Sequence, residues 1–183
     1  MIAAQSLDGF IAPHKLDGIA STTWTSKEDS RFFQEKSTEI GLVIMGRTTW
    51  ETIPAKHRPL SNRINIVLTS QPQKVDPSRD IAQLPPYSEK PAQETFTTNL
   101  KPIELIELLT SKGYEQIAIV GGSSVYTAYM QAHMVDSLYI TIEPVIFGQG
   151  ISLFDKPMNY GVHLAQVIKL SDTVIVLKYN CKK

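Results

Sequence analysis

The sequence predicts an α/β protein whose central mixed, mostly parallel sheet is flanked by helices and extended by antiparallel C-terminal strands. Two short apolar runs, 41–45 and 64–69, have the composition of strands buried on both faces. Strand, helix, strand, turn and helix follow in an order that implies right-handed crossovers within a largely parallel sheet. After residue 137 the strand-like segments lack long intervening helices, which indicates antiparallel pairing.

The first half of the chain contains clear element boundaries. Residues 1–6 are a predicted strand that ends in an Asp-Gly turn, and the loop 11–23 is suited to act as a lid. A helix is predicted from Thr25 or Ser26, either of which can cap it, to about Glu39, with acids in its first turn. A second helix is expected to start at Arg47, directly after the first apolar strand.

The second half begins with a proline-rich stretch, 72–93, that lacks periodicity and is expected to be an irregular insertion on the surface. The other predicted elements are a strand at 95–98, a helix at 101–112, a strand at 117–120, a helix at 123–131 and strands at 137–143, 145–147 and 173–179. Together these elements predict one domain over 1–183.

Composition limits the classes of function. With 183 residues and 42% hydrophobic content, the chain suits a single globular domain. The 18 basic residues balance 18 acidic ones, so no overall field attracts nucleic acid or an anionic membrane, and an anionic ligand must be held locally. The sole cysteine, Cys181, permits no intramolecular disulfide, and neither a signal sequence nor a membrane-spanning run is recognisable. We therefore expect a cytoplasmic protein without nucleic-acid or membrane partners.

Two predicted strand-to-helix turns are suited to bind phosphate. Gly121-Gly122 allows close backbone approach to a pyrophosphate, although a tight turn explains two glycines equally well. Gly46-Arg47-Thr48-Thr49 adds an arginine and hydroxyls, although an isolated arginine on a solvated helix end is the plainer interpretation. Two such turns at the carboxyl ends of strands in one sheet can span a dinucleotide. The full Gly-x-Gly-x-x-Gly fingerprint and a Walker lysine are absent from the sequence.

Asp29 is the candidate acid, although an aspartate in the first turn of a helix is more often only a favourable partner of the helix dipole. Phe33 follows one turn later on the same helical face, so both side chains can line one cavity. A carboxylate in a partly apolar pocket binds protons more tightly, which suits a proton donor or an anchor for a polar heterocycle. The four histidines share no ligand spacing and no nucleophile turn is present, so neither a metal site nor covalent catalysis is predicted.

Several stretches, in chain order, resemble the dihydrofolate reductase family. They are Ile2-Ala3-Ala4, Trp24 with Asp29 five residues later, residues 45–51, residues 58–69, Val120-Gly121-Gly122 and Tyr139-Ile140-Thr141. They cover most of the chain outside the proline-rich insertion. Residues 6–12 and 143–150 look more like the related riboflavin-pathway pyrimidine reductases, specifically their C-terminal domain.

The resemblance implies a dihydrofolate-reductase-like fold and hydride transfer from NADPH to 7,8-dihydrofolate, which gives tetrahydrofolate. Asp29 matches the acid that assists protonation of the pterin at N5, and Thr141 matches the threonine that hydrogen-bonds to it. Trp24 would anchor the lid. A small-molecule substrate and a monomer rather than a homodimer are also implied.

The resemblance further implies residues for each ligand. Substrate contacts are implied for Ala4, Phe33, Ile53, Leu60 and Arg63, with Arg63 pairing with the glutamate carboxylate. Contacts with NADPH are implied for Ile11, Gly46, Arg47, Thr48, Thr49, Ser70, Gly121, Gly122, Ser123, Ser124, Val125 and Tyr126. The sequence departs from the family pattern at Ser30, beside the acid, and at Ser124, where some members have a basic residue.

Two alternative functions remain open from the sequence. One is a riboflavin-pathway 5-amino-6-(5-phosphoribosylamino)uracil reductase that uses NADPH, and the other is a nucleotide-binding module without turnover. Asp29, Thr141 and Arg63 favour folate reduction, because together they fit a pterin that carries a carboxylate tail. The retained acid argues against a module without catalysis.

Overall fold

Parallel strands form the centre of the fold. The computed structural model of the chain describes residues 1–13, 23–90 and 92–182. The strands are β1 Ile2–Ser6, β2 Phe10–Ala12, β3 Leu42–Gly46, β4 Ile64–Leu68, β5 Arg79–Asp80, β6 Glu94–Thr98, β7 Ala118–Ile119, β8 Ser137–Glu143, β9 Ile151–Ser152, β10 Val162–Lys169 and β11 Ile175–Cys181. The helices are α1 Lys27–Ile40, α2 Arg47–Thr52, α3 Pro102–Ser111 and α4 Ser123–Gln131.

The strands form three hydrogen-bonded groups. The order β5-β6-β4-β3-β7 is parallel throughout, whereas in the order β1-β8-β11-β10 only β1 and β8 are parallel. The third group is the antiparallel pair of β2 and β9. This arrangement confirms the predicted mixed, mostly parallel sheet with antiparallel strands at the C-terminus.

The two larger groups of strands share one core on each face. Ile2 of β1 packs in a cluster with Val43 of β3 and Ala118 of β7, and the next residues along these strands belong to a second cluster with Phe96. Successive side chains of a strand point to opposite faces, so both faces are covered by apolar groups. This double burial explains why the strand sequences are continuously apolar.

Helix α1 begins as the sequence predicts. The Ser26 hydroxyl accepts a hydrogen bond from the Asp29 backbone N–H, which caps the first turn. The helix ends at Gly41, whose φ of 78° is left-handed and whose N–H donates to the Ser37 carbonyl. The helix is one residue longer than the prediction of about Glu39, and its start fixes the position of Asp29.

One predicted strand is wrong. Residues 145–147 form no ladder: the Val145 N–H donates to the Glu143 carbonyl, and the Phe147 N–H donates to the Asp8 carboxylate, as does the N–H of the following Gly148. The antiparallel strands of this region are instead β9 and β10. The sequence pattern missed β10 because nearly the whole strand is exposed, so it shows no alternation of apolar and polar residues.

Two predicted loops contain more structure than their sequences indicate. Part of the loop 11–23 belongs to β2, and residues 14–22, where the lid was expected, lie outside the described residues. The described part of the stretch 72–93 contains three short 3-10 turns and β5, and it buries Val75, Ile81 and Leu84. In the part of the chain that the structure describes, no helix has the length and apolarity needed to cross a lipid bilayer.

Candidate active site

A cleft of about 1500 Å³ opens at the carboxyl ends of β3, β4 and β7. In open α/β sheets ligands bind at this edge. The structure brings most of the predicted site residues into the cleft: Ala4, Ile11, Asp29, Phe33, Gly46, Arg47, Thr48, Thr49, Ile53, Leu60, Arg63, Ser70, Gly121, Gly122, Ser123, Ser124, Val125 and Tyr126.

Two predicted residues do not line the cleft directly. Thr141 is 1% exposed, and its hydroxyl makes no hydrogen bond of normal geometry to a described residue. Trp24 packs edge-on against Phe147, with 5.2 Å between ring centroids, and its buried indole N–H also lacks a hydrogen-bond partner within the described ranges. Both side chains therefore bury a polar atom that has no hydrogen-bond partner of normal geometry among the described residues.

Asp29 lies in the first turn of α1 and is 8% exposed. Burial raises the pKa of its carboxyl; the nearby Thr141 hydroxyl lowers the pKa, the Glu143 carboxylate raises it and the Thr25 hydroxyl lowers it. The net direction is upward, so Asp29 retains its proton to a higher pH than an aspartate in water.

On the other side of the cleft, the two glycine-containing turns are in direct contact. The Gly46 N–H donates to the Gly121 carbonyl over 2.8 Å. A Cβ on Gly121 would lie 2.9 Å from Thr49 Cγ2, and one on Gly122 would lie 3.1 Å from Thr49 Oγ1. Gly121 also has a φ of 144°, which L-residues rarely adopt. The turn before α4 thus packs its glycine backbone, without side chains, directly against Thr49 of α2.

The polar side chains around these turns differ in availability. Arg47 forms an ion pair with Glu51, one helical turn later, and both are partly exposed. Such a pair is worth only about 0–1 kcal/mol, so a phosphate can replace Glu51 as the partner of Arg47. Ser124 and Ser70 are exposed, whereas the Ser123 hydroxyl donates to the Ser152 carbonyl over 2.7 Å.

Arg63 is a buried cation, only 3% exposed, that borders the cleft. Its Nε donates to the Ser61 carbonyl over 2.9 Å, one terminal nitrogen donates to the Ser37 hydroxyl, and the guanidinium lies 5.8 Å from the centroid of the Phe33 ring. Burial lowers its pKa. It has no ion-pair partner among the described residues, so N–H donors of the guanidinium remain for an anion.

Helix α1 sets the spacing between the acid and the guanidinium. Asp29, Phe33 and Ser37 recur every four residues, so they lie along one face of the helix. Asp29 and Ser37 are eight residues apart, which is roughly 12 Å at about 1.5 Å per residue. Ser37 holds Arg63, so the cleft offers an acid, an aromatic ring and a guanidinium in that order.

The sequence analysis did not identify Thr25 and Glu143 as site residues. Glu143 lies two residues after Thr141 in β8, and such residues share one face of a strand, so its nearness to Asp29 was readable from the sequence. Thr25 precedes the helix cap and lines the cleft. Lys56, His57 and Arg58 also border the cleft, and this basic run is visible in the sequence. Among the described residues, no group of three or more His, Cys, Asp or Glu side chains is placed to hold a metal ion.

A family model described as dihydrofolate reductase matches residues 1–148. The chain belongs to the dihydrofolate reductase family. A dihydrofolate reductase from Rattus norvegicus is 36% identical over 121 residues, which cover 63% of this chain and 58% of that protein. Several curated relatives are longer bifunctional dihydrofolate reductase-thymidylate synthases, and the chain spans about half or less of their length.

Solved structures with the same fold include a riboflavin biosynthesis protein and a dihydrofolate reductase. A putative riboflavin biosynthesis protein from a Shewanella species matches with a TM-score of 0.71 and 21% identity, over 100% of this chain and 97% of that one. A dihydrofolate reductase from Enterococcus faecalis, in complex with NADP(H), matches with a TM-score of 0.62 and 24% identity, over 100% and 95%. These likenesses confirm a dihydrofolate-reductase-like fold.

Proposed function

We propose that this chain is a dihydrofolate reductase, which transfers hydride from NADPH to 7,8-dihydrofolate and gives tetrahydrofolate. The observation that carries this proposal is the order of groups beside α1: the buried acid Asp29, the Phe33 ring and the buried guanidinium of Arg63, which donates to Ser37 of the same helix. Dihydrofolate has a matching order of a hydrogen-bonding pterin, an aromatic ring and a glutamate carboxylate. Membership of the family supports the same assignment.

The glycine turns support NADPH as the cofactor. Gly121 and Gly122 pack closely on Thr49, so no side chain blocks the approach of a pyrophosphate to their backbone. Helix α4 begins immediately after these glycines, and its N-terminal N–H groups and positive dipole end favour an anion. Gly46, Thr48 and the backbone of 122–125 would hold the pyrophosphate, while Arg47 and Ser70 would hold the 2′-phosphate. When bound, NADPH supplies the hydride.

The proposed substrate is held along the opposite wall. Phe33, Ile53 and Leu60 supply apolar surface beside the pterin and the aminobenzoyl ring. Arg63 pairs with the glutamate carboxylate, which gives this buried cation an anionic partner. Ala4, Ile11 and Tyr126 border the region where the two reactants meet. These contacts fix the relative positions of the reactants, which is the main contribution of the protein.

Asp29 provides for the proton that accompanies the hydride. The only other acid that borders the cleft in the described ranges, Asp155, is exposed. The raised pKa of Asp29 keeps its proton available for transfer towards N5 of the pterin. The Thr141 hydroxyl, which has no hydrogen-bond partner of normal geometry among the described residues, is suited to bond with Asp29 and the pterin amino group together.

A second candidate is the reduction of 5-amino-6-(5-phosphoribosylamino)uracil. The stretches that resemble pyrimidine reductases, 6–12 and 143–150, contact each other through Asp8, whose carboxylate accepts from the Phe147 and Gly148 N–H groups. In this case the substrate phosphate would occupy the cleft near Arg63. The proposed order of groups along α1 favours the longer folate.

The experiment that tests the proposal is NADPH oxidation, followed by absorbance, with each of the two substrates and with wild type and Asp29→Asn. We expect oxidation that depends on dihydrofolate and that Asp29→Asn removes. Oxidation with the pyrimidine alone would assign the second function. NADPH binding without oxidation of either kind would indicate a nucleotide-binding module and would overturn both assignments.

A further inference from the structure

Glu143 is a buried carboxylate near the acid of the site. It ends β8 and is 2% exposed. Its Oε1 accepts two hydrogen bonds from Ser26, one from the backbone N–H over 2.9 Å and one from the hydroxyl over 2.8 Å. It forms no ion pair with a described residue. A buried charge that is held only by neutral donors is costly, so its retention needs an explanation.

Ser26 connects Glu143 to Asp29. The same hydroxyl that donates to Glu143 accepts the N–H of Asp29 over 3.1 Å, as the cap of α1. Glu143 itself is fixed within the sheet, because β8 pairs with β1 on one side and β11 on the other. The hydrogen bonds therefore run without interruption from the sheet to the first turn of the helix.

We propose that Glu143 is a positioning residue of the active site: through Ser26 it fixes the start of α1, and with it the Asp29 carboxyl, against the Thr141 end of β8. Thr141 and Glu143 lie two positions apart in β8 and so share one face of the strand. Glu143 accepts from the cap residue Ser26, and Thr141 lies on the same face towards Asp29. Substrate contact is not part of this role.

The charge of Glu143 has a second effect on Asp29. The groups that act on the Asp29 carboxyl are Thr141 and Glu143 from β8, Tyr126 from α4 and Thr25 before α1. Burial raises the pKa of Tyr126, so this phenol stays neutral while Asp29 titrates. Of these groups only Glu143 carries a negative charge that opposes ionisation of Asp29. Removing that charge therefore lowers the pKa of Asp29.

The role in catalysis rests on the proposed function, whereas the coupling between the two carboxyl groups does not. If Asp29 delivers a proton to the substrate, the rate falls as pH rises through its pKa. Loss of the Glu143 charge then moves this fall to lower pH. The coupling itself is measurable in the protein without substrate.

The direct test is titration of the Asp29 carboxyl carbon by NMR in the full chain, with Asp29→Asn used to assign the signal. Glu143→Gln removes the charge and keeps an oxygen that accepts from Ser26. Glu115→Gln is the matched control, since Glu115 is exposed and precedes β7, at the end of the strand away from the cleft. We expect the Asp29 midpoint to move to lower pH in Glu143→Gln and to stay unchanged in Glu115→Gln. An unchanged midpoint in Glu143→Gln would overturn the electrostatic coupling between the two carboxyl groups.

Two further variants separate charge from position. Glu143→Asp keeps the charge, so its Asp29 midpoint should remain above that of Glu143→Gln; an equal fall in both would contradict the electrostatic coupling. Ser26→Ala keeps the charge and removes the connecting hydroxyl, so kcat should fall several-fold at every pH while the NADPH Kd is unchanged. A Ser26→Ala enzyme with wild-type kcat would contradict the positioning role. If no variant, including wild type, oxidises NADPH with dihydrofolate, the proposed function fails while the titration still decides the coupling.

Discussion

The Gly46 N–H donates to the carbonyl of Gly121 over 2.8 Å, so the start of α2 and the turn before α4 are joined at their backbones. The two turns that the sequence suggests separately as phosphate-binding sites are therefore one rigid surface. Thr49 fills the space beside it and contacts the positions where side chains on Gly121 and Gly122 would lie. Changes in either turn are expected to affect the other.

A side chain on either glycine should weaken NADPH binding. Gly122→Ala places a methyl group 3.1 Å from Thr49 Oγ1, and Gly121→Ala adds backbone strain at a φ of 144°. We expect destabilisation of about 1–3 kcal/mol in each case. Thermal unfolding and NADPH titration measure both effects. Adding Thr49→Ala removes the contact in both variants, so stability relative to Thr49→Ala alone should recover more fully for Gly122→Ala than for Gly121→Ala. Equal recovery would show that the φ of Gly121 causes no strain.

Asp29→Asn should separate chemistry from cofactor binding. The amide cannot supply the proton, so we expect kcat to fall by roughly 10²–10⁴-fold, the range for loss of a general acid. The Kd for NADPH should remain near its wild-type value, because the phosphate-binding turns are untouched. Steady-state rates and a fluorescence titration provide the two measurements. A parallel loss in both would mean that Asp29 maintains the cleft and does not take part in the chemistry.

The same substitution should change stability in a pH-dependent manner. Because burial raises the folded-state pKa of Asp29, ionisation destabilises the native state as pH rises through that pKa. Asp29→Asn should therefore be more stable than wild type above this pH and should match it in acid, where both side chains are neutral. Thermal melts across the pH range check this sign. A variant that is less stable at neutral pH would show that the carboxylate makes favourable bonds that its burial does not outweigh.

Arg63→Lys should affect the end of the substrate that carries a carboxylate. A point-like ammonium cannot reproduce the bidentate geometry, so we expect KM for dihydrofolate to rise by about tenfold or more. A pterin substrate that lacks glutamate should be reduced with unchanged KM. Comparison of the two KM values is the measurement. If KM rises for both substrates, Arg63 serves mainly to hold Ser37 and Ser61 in place.

Arg47 should set the preference for NADPH over NADH. Its guanidinium is partly exposed and, within the described ranges, pairs only with Glu51, so a 2′-phosphate can bind it. We expect Arg47→Ala to weaken NADPH binding by about 1.5–3 kcal/mol, the value of a charge-assisted hydrogen bond, and to leave NADH binding unchanged. Glu51→Gln is the matched variant and should strengthen NADPH binding. Equal effects on both cofactors would move the 2′-phosphate away from Arg47.

Local signals made parts of this fold readable from the sequence. The helix that holds Asp29 has its cap at Ser26, acids in its first turn and a glycine stop at Gly41, and these are short-range interactions. The continuous apolar composition of β3 and β4 likewise reports burial on both faces. Such signals suffice to place the acid and the glycine turns at one edge of the sheet.

Contacts between distant segments were less readable. The stretch 145–147 has strand composition, but the Phe147 N–H and the N–H of the following Gly148 donate to the carboxylate of Asp8, far away in the chain. Partners of Glu143 and Arg63 are also remote: Ser26 caps α1 and Ser37 lies within it, and they meet these residues only in the folded chain. No local sequence pattern encodes such pairings, because they depend on how distant segments pack in the folded chain.

The proline-rich stretch 72–93 has a practical meaning for protein engineering. Leu84 is fully enclosed, the Lys112 ammonium donates to its carbonyl, and the Tyr114 hydroxyl donates to the carbonyl of Pro85 over 3.1 Å. Deleting this stretch to make a minimal scaffold, or inserting an epitope or fluorescent reporter into it, would disrupt the packing of its buried side chains and these hydrogen bonds. Its prolines make the segment resemble a dispensable surface loop, but its buried side chains and hydrogen bonds make it an integral part of the domain.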